Sequence, residues 1–226
     1  LLGSNDPVAS VRRGLWEAIF DRDFLRLTGE HLLLVFASLV ASVAVGVPLG
    51  VLAAKVPGTA RIVLGAAGVI QTIPSLALLA FLVAALGAIG TWPALIALFL
   101  YGLLPIASNT HAGLLGVGRG LSQAATALGL RAAQRLRYVE LPLAAPTALA
   151  GIRTSAVINV GTATIAAFVG GYGERIVAGL ALNDSTALLA GALPAAVLAL
   201  LVQGMFDLVE RRLGRGRGMA SPEGLR

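Results

Sequence analysis

The chain has 226 residues, of which 57% are hydrophobic and only 12% are charged, and its mean hydropathy is +0.87. A soluble domain is nearer half apolar and a quarter charged, so this composition predicts a membrane protein. The net charge of +6 does not indicate a nucleic-acid-binding protein, because the basic residues lie in short clusters between apolar blocks. The sequence contains no Cys, which excludes disulfides and thiolate metal sites within it, and its two His residues do not form a metal site alone.

The N-terminal segment, residues 1–30, mixes acidic and basic side chains and has no continuous apolar stretch typical of a signal peptide. Its apolar side chains recur at helix-like spacing, at Leu15, Trp16, Ile19, Phe20 and Phe24. This spacing predicts an amphipathic helix that lies on the outer surface of the membrane. A soluble helix that belongs to an upstream region fits the same pattern, and both interpretations stay open.

Five apolar segments approach the length of about 20 residues that a bilayer requires. They cover residues 32–54, 62–88, 91–107, 153–169 and 185–206. Pro74 interrupts the second segment, and a Pro inside a span frees backbone groups that protein or a watery cavity must satisfy. The stretch "GGYGERIVAGLALNDS", before the last span, is interpreted as a polar return loop. The sequence therefore predicts an all-α membrane protein, with a transmembrane domain over residues 31–210 and a basic tail over residues 211–226.

Positive charge is unequally distributed between the two sides of a five-span chain. One side holds Lys55, Arg61, Arg119, Arg131, Arg135, Arg137, Arg153 and the five arginines of the tail. The short loops of the other side hold only Arg175. The positive-inside rule predicts that the first side is cytoplasmic, so we expect the N-terminus outside and the C-terminus inside.

The interiors of the spans contain no Asp, Glu or Lys, although ion-coupled transporters usually need ionisable groups there. The chain also contains no GxxxxGK[ST] phosphate-binding loop, so we do not expect it to hydrolyse ATP alone. If the protein drives transport, the energy has to come from a partner that binds a cytoplasmic surface.

The stretch "QAATALGLRAAQRLRYVELP" lies in the predicted cytoplasmic loop, residues 119–142, and is the candidate for that surface. We expect a helix over residues 121–128. Gly129 would end this helix by adopting a left-handed backbone conformation. A second helix over residues 132–139 follows, and Pro142 stops it. The small side chains of Ala124 and Ala125 would let another protein approach the helix backbone closely. On the Ala pair alone, an Ala-rich loop without a special role is the better interpretation.

The complete spacing resembles the EAA loop of binding-protein-dependent ABC importer permeases: Glu-Ala-Ala, three residues, Gly, nine residues, Ile, one residue, Leu-Pro. The matching positions are Gln123, Ala124, Ala125, Gly129, Val139, Leu141 and Pro142. Gln123 stands where the family often has Glu, so a salt bridge from that position is in doubt, and Val139 replaces Ile. Other stretches between residues 27 and 212, such as "IQTIPSLALLAFLV" and "GIRTSAVINVGTATIAAFVGG", are similar to the osmoprotectant branch of the family.

The resemblance implies a type I ABC importer permease with five transmembrane helices, in a bacterial inner membrane. It implies a second permease chain, two cytoplasmic ATPases that each receive an EAA loop, and an extracytoplasmic substrate-binding protein. The implied substrates are quaternary amines such as glycine betaine, choline and carnitine. ATP and Mg would bind to the ATPase, so this chain would hold no cofactor and no catalytic residue. Its other expected partners are membrane lipids, and no nucleic acid is expected.

Uncharged polar side chains in the spans are the candidates for a translocation pathway, because such a lining holds charged substrates weakly. They are Gln71, Thr72, Ser75, Asn159, Thr162 and Gln203. Gln71 and Asn159 are preferred, since amides are costly in lipid, but each of the six is also explained by hydrogen bonds between helices. Two other functions stay open: a permease for another solute, such as an amino acid or a metal chelate, and a membrane scaffold that transports nothing.

Overall fold

The computed structural model describes residues 14–166 and 170–215, and no β-strand occurs in these two ranges. The helices are α1 (14–19), α2 (Phe24–Lys55), α3 (Thr59–Thr72), α4 (Ser75–Leu86), α5 (Thr91–Leu115), α6 (Arg119–Ala127), α7 (Ala132–Arg135), α8 (Leu141–Ala163), α9 (Tyr172–Leu182) and α10 (Ser185–Arg215). A π-helical turn, Leu136–Glu140, joins α7 to α8, and a 3₁₀ turn, Thr164–Ala166, follows α8.

Four helical segments in the described ranges are long and apolar enough to cross a membrane: α2, α5, the run Ala132–Ala163, and α10. The pair α3 and α4 makes a fifth if it counts as one span, but its two helices are bent by 99°. The bend lies at Pro74, which has no backbone N–H and cannot continue a helix. The predicted all-α class is therefore confirmed, with four candidate spans, or five if the bent pair counts as one, and the predicted fourth segment, 153–169, begins earlier than expected, at Ala132.

The predicted N-terminal amphipathic helix is interrupted. Helix α1 ends at residue 19 and α2 begins at Phe24, so residues 15–24 do not form one helix. The side chain of Asp21 accepts a hydrogen bond from the Asp23 backbone N–H at 3.0 Å. This turn, in which a side chain replaces a backbone acceptor, competes with the helix.

The predicted stop at Pro142 is wrong. Helical structure continues without interruption from Ala132 through Pro142 to Ala163. In the π-helical turn, the N–H of Leu141 donates to the carbonyl of Leu136, five residues back. Such a turn widens the helix locally, which gives the ring of Pro142 room that a regular α-helix does not offer.

The predicted return loop before the last span is also wrong, because most of it forms α9. Gly179 lets α9 approach α10 closely: a Cβ added there would lie 2.5 Å from the backbone nitrogen of Leu188. The segment was interpreted as a loop because it is rich in Gly, which destabilises an isolated helix. Its packing against α10 is what stabilises it.

The core lies where α2, α5 and α8 meet, around Leu34, Val35, Leu98, Ile106, Ala156 and Val160. The three backbones are close at Gly102 on α5, where an added Cβ would lie 2.6 Å from the hydroxyls of both Ser42 and Ser155. Small residues permit such close packing between helices in a membrane. This three-helix body carries the loop with α6 and α7 at one end and α9 at the other.

Candidate functional site

The loop that carries the motif, residues 119–142, begins with a compact helical unit, α6 followed by α7. Gly129 has φ of +82°, so the predicted left-handed conformation after the first helix is confirmed. The backbone N–H of Gly129 donates to the carbonyl of Thr126 at 2.9 Å, and that of Leu130 donates to Ala125 at 3.1 Å. These bonds satisfy carbonyls that the helix end would otherwise leave free. Gly is favoured at residue 129 because a side chain there would be strained.

The two alanines of the predicted docking surface do not face the same way. Ala124 is exposed, together with Gln123, whereas Ala125 is 5% exposed and packs within the chain. Only Ala124 lies on the exposed side of α6, because successive helix positions point in different directions, and docking of a partner there stays a prediction. The exposed side of α6 borders an open groove of about 410 Å³, lined by Arg119, Ser122, Gln123, Thr126, Ala127 and Arg135.

The remaining three motif residues lie where the loop joins the membrane-spanning helix. Val139, Leu141 and Pro142 are all half-buried. Val139 belongs to the π-helical turn, and the other two residues begin α8. These three residues thus connect α7 to α8, while Gln123 and Ala124 remain available on the outer side of α6.

A buried carboxylate, which the sequence analysis missed, lies inside this unit. Glu140 is 3% exposed, and its Oε1 accepts hydrogen bonds from Ser122 Oγ at 2.9 Å and from Arg135 Nε at 3.1 Å. Lys55 Nζ, at the end of α2, lies 2.5 Å from its Oε2. A second nitrogen of Arg135, Nη1, donates to Thr126 Oγ1 at 2.9 Å. We call Lys55, Ser122, Arg135 and Glu140 the Glu140 cluster.

One signal in the sequence pointed to this cluster. Glu140 is the only Asp or Glu between Glu30 and Glu174, and Lys55 is the only Lys in the chain. Both occur on the side that the charge distribution assigns to the cytoplasm. A buried carboxylate requires a charged or hydrogen-bonding partner, but the sequence alone does not indicate which of the nearby cations supplies it.

Asn159 and Gln71, the preferred pathway residues, both use their amide groups within the chain. Asn159 is fully buried, and its Nδ2 donates to Ser38 Oγ at 3.0 Å. Gln71 Nε2 donates to the backbone carbonyl of Tyr101 at 2.9 Å, next to the break between α3 and α4. These contacts fit the alternative of hydrogen bonds between helices. A role for either residue in the pathway stays a prediction.

The structure brings two of the other four candidates together. Ser75 and Thr162 line one narrow cleft between α4, α5 and α8, with Leu79, Ala94, Ala97, Leu98 and Ile165. Thr72 is exposed and its hydroxyl donates to the carbonyl of Val69 at 2.7 Å. Gln203 is half-buried on α10 and does not line that cleft.

At the opposite end of the body, polar contacts fasten α9 to the start of α2. Thr28 Oγ1 lies 2.5 Å from the hydroxyl of Tyr172, and Glu30 accepts a hydrogen bond from the Gly171 backbone N–H at 3.0 Å. Arg175 forms an ion pair with Asp21. Burial raises the pKa of the Asp21 carboxyl, but the hydrogen bond and charge of Arg175 outweigh burial and leave that pKa below its ordinary value.

Comparison with known proteins identifies the family to which the chain belongs. A family model described as "Binding-protein-dependent transport system inner membrane component" matches residues 46–215, which include the whole of α6 and α7. The choline transport system permease protein OpuBB of Bacillus subtilis is 40% identical over 193 residues, which cover 84% of this chain and 88% of that protein. The osmoprotectant import permease protein OsmY of Salmonella typhimurium is 44% identical over 195 residues, which cover 84% and 82%.

Solved structures agree on the fold. An inward-facing structure of the MetNI methionine ABC transporter has a chain that superimposes with a TM-score of 0.72 at 24% identity, covering 92% of this chain and 99% of that one. A crystal structure of an amino acid ABC transporter with histidines gives a TM-score of 0.65 at 17% identity, covering 94% and 100%. At these identities the likeness concerns the fold alone.

Proposed function

We propose a substrate class and a mechanism from one premise: the chain belongs to the family of binding-protein-dependent transport system inner membrane components. It is accordingly a multi-pass transport permease of an ABC importer, and not an enzyme. Such a system works with an ATPase and a substrate-binding protein. The proposed substrates are osmoprotectant quaternary amines such as glycine betaine, choline and carnitine.

One observation supports this substrate class above all. The two relatives described above carry the names choline transport and osmoprotectant import, and a third, from Listeria monocytogenes, is a carnitine transport permease protein that is 41% identical over 188 residues. Each of these matches covers more than four fifths of both chains. Proteins that share this much of their length and sequence share the environment of the pathway, so the substrate class is expected to carry over.

The proposed coupling surface is the exposed side of α6, with Gln123 and Ala124 at its centre. We infer that a cytoplasmic ATPase, which binds ATP and Mg, docks on this surface and moves α6 during its cycle. A second permease chain, identical or related, would complete the pore, and this chain would hold no cofactor. In this arrangement the N-terminus is outside and the C-terminus is cytoplasmic, which places the Glu140 cluster at the cytoplasmic end.

For the pathway, Ser75 and Thr162 are the candidates that the geometry favours. Both residues line one cleft beside α4, the second helix of the bent pair, so a change in the bend would widen or close the cleft. Gln71 and Asn159 are weaker candidates, because their amide N–H groups are already bonded to α5 and α2.

Reconstitution tests the proposal. The permease, its ATPase and its binding protein are incorporated into liposomes, and import of labelled glycine betaine, choline, carnitine and an amino acid is measured with and without ATP. ATP-dependent import of at least one quaternary amine, and not of the amino acid, is the expected result. Import of the amino acid alone would move the chain to the alternative substrate class. ATPase binding without import of any solute would favour the scaffold interpretation.

A further inference from the structure

We propose that Glu140 is a positioning residue for energy coupling: its carboxylate holds α6 in a fixed orientation relative to α2, so that a movement of α6 is transmitted to the membrane-spanning body. The inference rests on the proposed function for its transport measurement only. It concerns a residue that lies between the motif positions Val139 and Leu141 and that no motif position includes.

The first step in the argument is that α6 has little apolar packing of its own. Among its nine residues, Ala125 is the only buried one. A single buried methyl group contributes far less free energy than a full core side chain does. Apolar contacts therefore do not fix the orientation of α6, although α6 would have to withstand force if an ATPase moves it.

The second step is that the Glu140 cluster supplies the missing connection. Ser122 of α6 and Arg135 of α7 donate hydrogen bonds to Oε1 of Glu140, and Lys55 at the end of α2 forms an ion pair with Oε2, so three separate elements contact one carboxylate. Glu140 itself precedes α8 directly. Charge-assisted hydrogen bonds are stronger than neutral ones and depend on geometry. A displacement of α6 relative to α2 would therefore weaken at least one of these bonds.

The third step is that burial makes the arrangement rigid. The side chain of Glu140 is 4% exposed, whereas those of Lys55 and Arg135 are 35% and 27% exposed, so the carboxylate depends on these partners more than they depend on it. An unpaired charge in such a place is strongly unfavourable. The low-energy response to a force on α6 is consequently a joint movement of α6, α7, α8 and the end of α2.

A distance measurement tests this directly, since the sequence contains no Cys. Spin labels are placed on cysteines introduced at Val56 and Ala127, both exposed, which lie on either side of the Glu140 cluster. A reference pair, Val56 and the exposed Leu115, does not include α6. In the permease without its ATPase, whose docking a label at residue 127 would obstruct, Glu140→Gln should broaden the distance distribution of the first pair and leave that of the reference pair unchanged.

Two further variants keep the test decisive if Glu140→Gln does not insert. Ser122→Ala removes only the bond from α6, and Lys55→Met removes only the link to α2. Both should broaden the Val56–Ala127 distribution. Arg61→Met is the matched control, because Arg61 follows Lys55 by six residues and forms no ion pair with any described residue. Unchanged distributions in both variants, or equal broadening in the control, would overturn the proposal.

Transport supplies a measurement that a merely structural role would not change. Complexes with Glu140→Gln or Lys55→Met should retain the ATPase, but the number of substrate molecules imported per ATP hydrolysed should fall at least about tenfold. An unchanged ratio with fewer assembled complexes would instead mean that Glu140 only stabilises the fold. If the wild type imports no quaternary amine while the label distances respond as expected, the proposed substrate is wrong and the role of Glu140 stands.

Discussion

The side-chain hydroxyl of Tyr101 on α5 donates a hydrogen bond to the backbone carbonyl of Ile73, at the break between α3 and α4. The side-chain amide of Gln71 donates a hydrogen bond to the backbone carbonyl of Tyr101, so the two residues together satisfy polar groups at the bend. Tyr101→Phe would leave the Ile73 carbonyl without this donor, and we expect a loss of about 1 kcal/mol of stability. Denaturant unfolding of the purified permease in detergent measures this loss of stability. Tyr138→Phe is the control, since Tyr138 is 65% exposed, and an equal loss there would contradict the assignment.

The close approach of α2, α5 and α8 at Gly102 leads to a second prediction. Gly102→Ala would place a methyl group against the hydroxyls of Ser42 and Ser155, so these helices would have to move apart. We expect a destabilisation of about 1–3 kcal/mol, the usual effect of overpacking. Gly161→Ala on α8 is the matched control, because an added Cβ there meets no atom within 4 Å. If the two variants unfold at the same denaturant concentration, the tight packing at Gly102 is not an energetic constraint.

The third prediction concerns docking on α6. Ala124→Glu adds a large anion to the exposed side of α6, where we propose that the ATPase approaches, and should abolish ATPase co-purification and uptake without reducing membrane insertion. Ala125→Glu is a less direct test, because Ala125 is buried and the variant would disturb the packing of α6 itself. Gly129→Asp would force a side chain into a left-handed conformation and should also impair docking.

A control accompanies the docking variants. Ala133 on α7 is exposed and lies outside the motif, so Ala133→Glu adds the same charge to the same loop. It should leave co-purification of the ATPase nearly normal. Wild-type rates of uptake and normal ATPase binding with both Ala124→Glu and Gly129→Asp would show that the coupling role of "QAATALG" is wrong.

The fourth prediction concerns orientation in the membrane. Thr91 begins α5 and Asn183 follows α9 at one end of the molecule, whereas Gly118 precedes α6 at the other. Because the chain has no Cys, single cysteines at these positions can be labelled selectively in intact cells. An impermeant thiol reagent should react at residues 91 and 183, and not at residue 118. The reverse pattern would place the N-terminus in the cytoplasm.

Features that depend only on neighbouring residues could be predicted before the fold was known. Long uncharged apolar stretches are enough to predict helices that cross a membrane, because the bilayer leaves few other ways to satisfy the backbone. The spacing of the loop motif was enough to indicate the family. The left-handed conformation of Gly129 followed from local stereochemistry, since few other residues adopt it without strain.

Features that depend on contacts between distant segments became known from the folded chain. Lys55 and Glu140 pair across 85 residues of sequence, and no local rule selects that partner among several nearby cations. The burial of Ala125 and the helical state of α9 depend on the body against which each one packs. The bend between α3 and α4 was indicated by Pro74, but its angle of 99° is seen only in the structure, where both helices pack against α5. Free energy from packing and from buried charge arises between segments, so it becomes visible only once they are assembled.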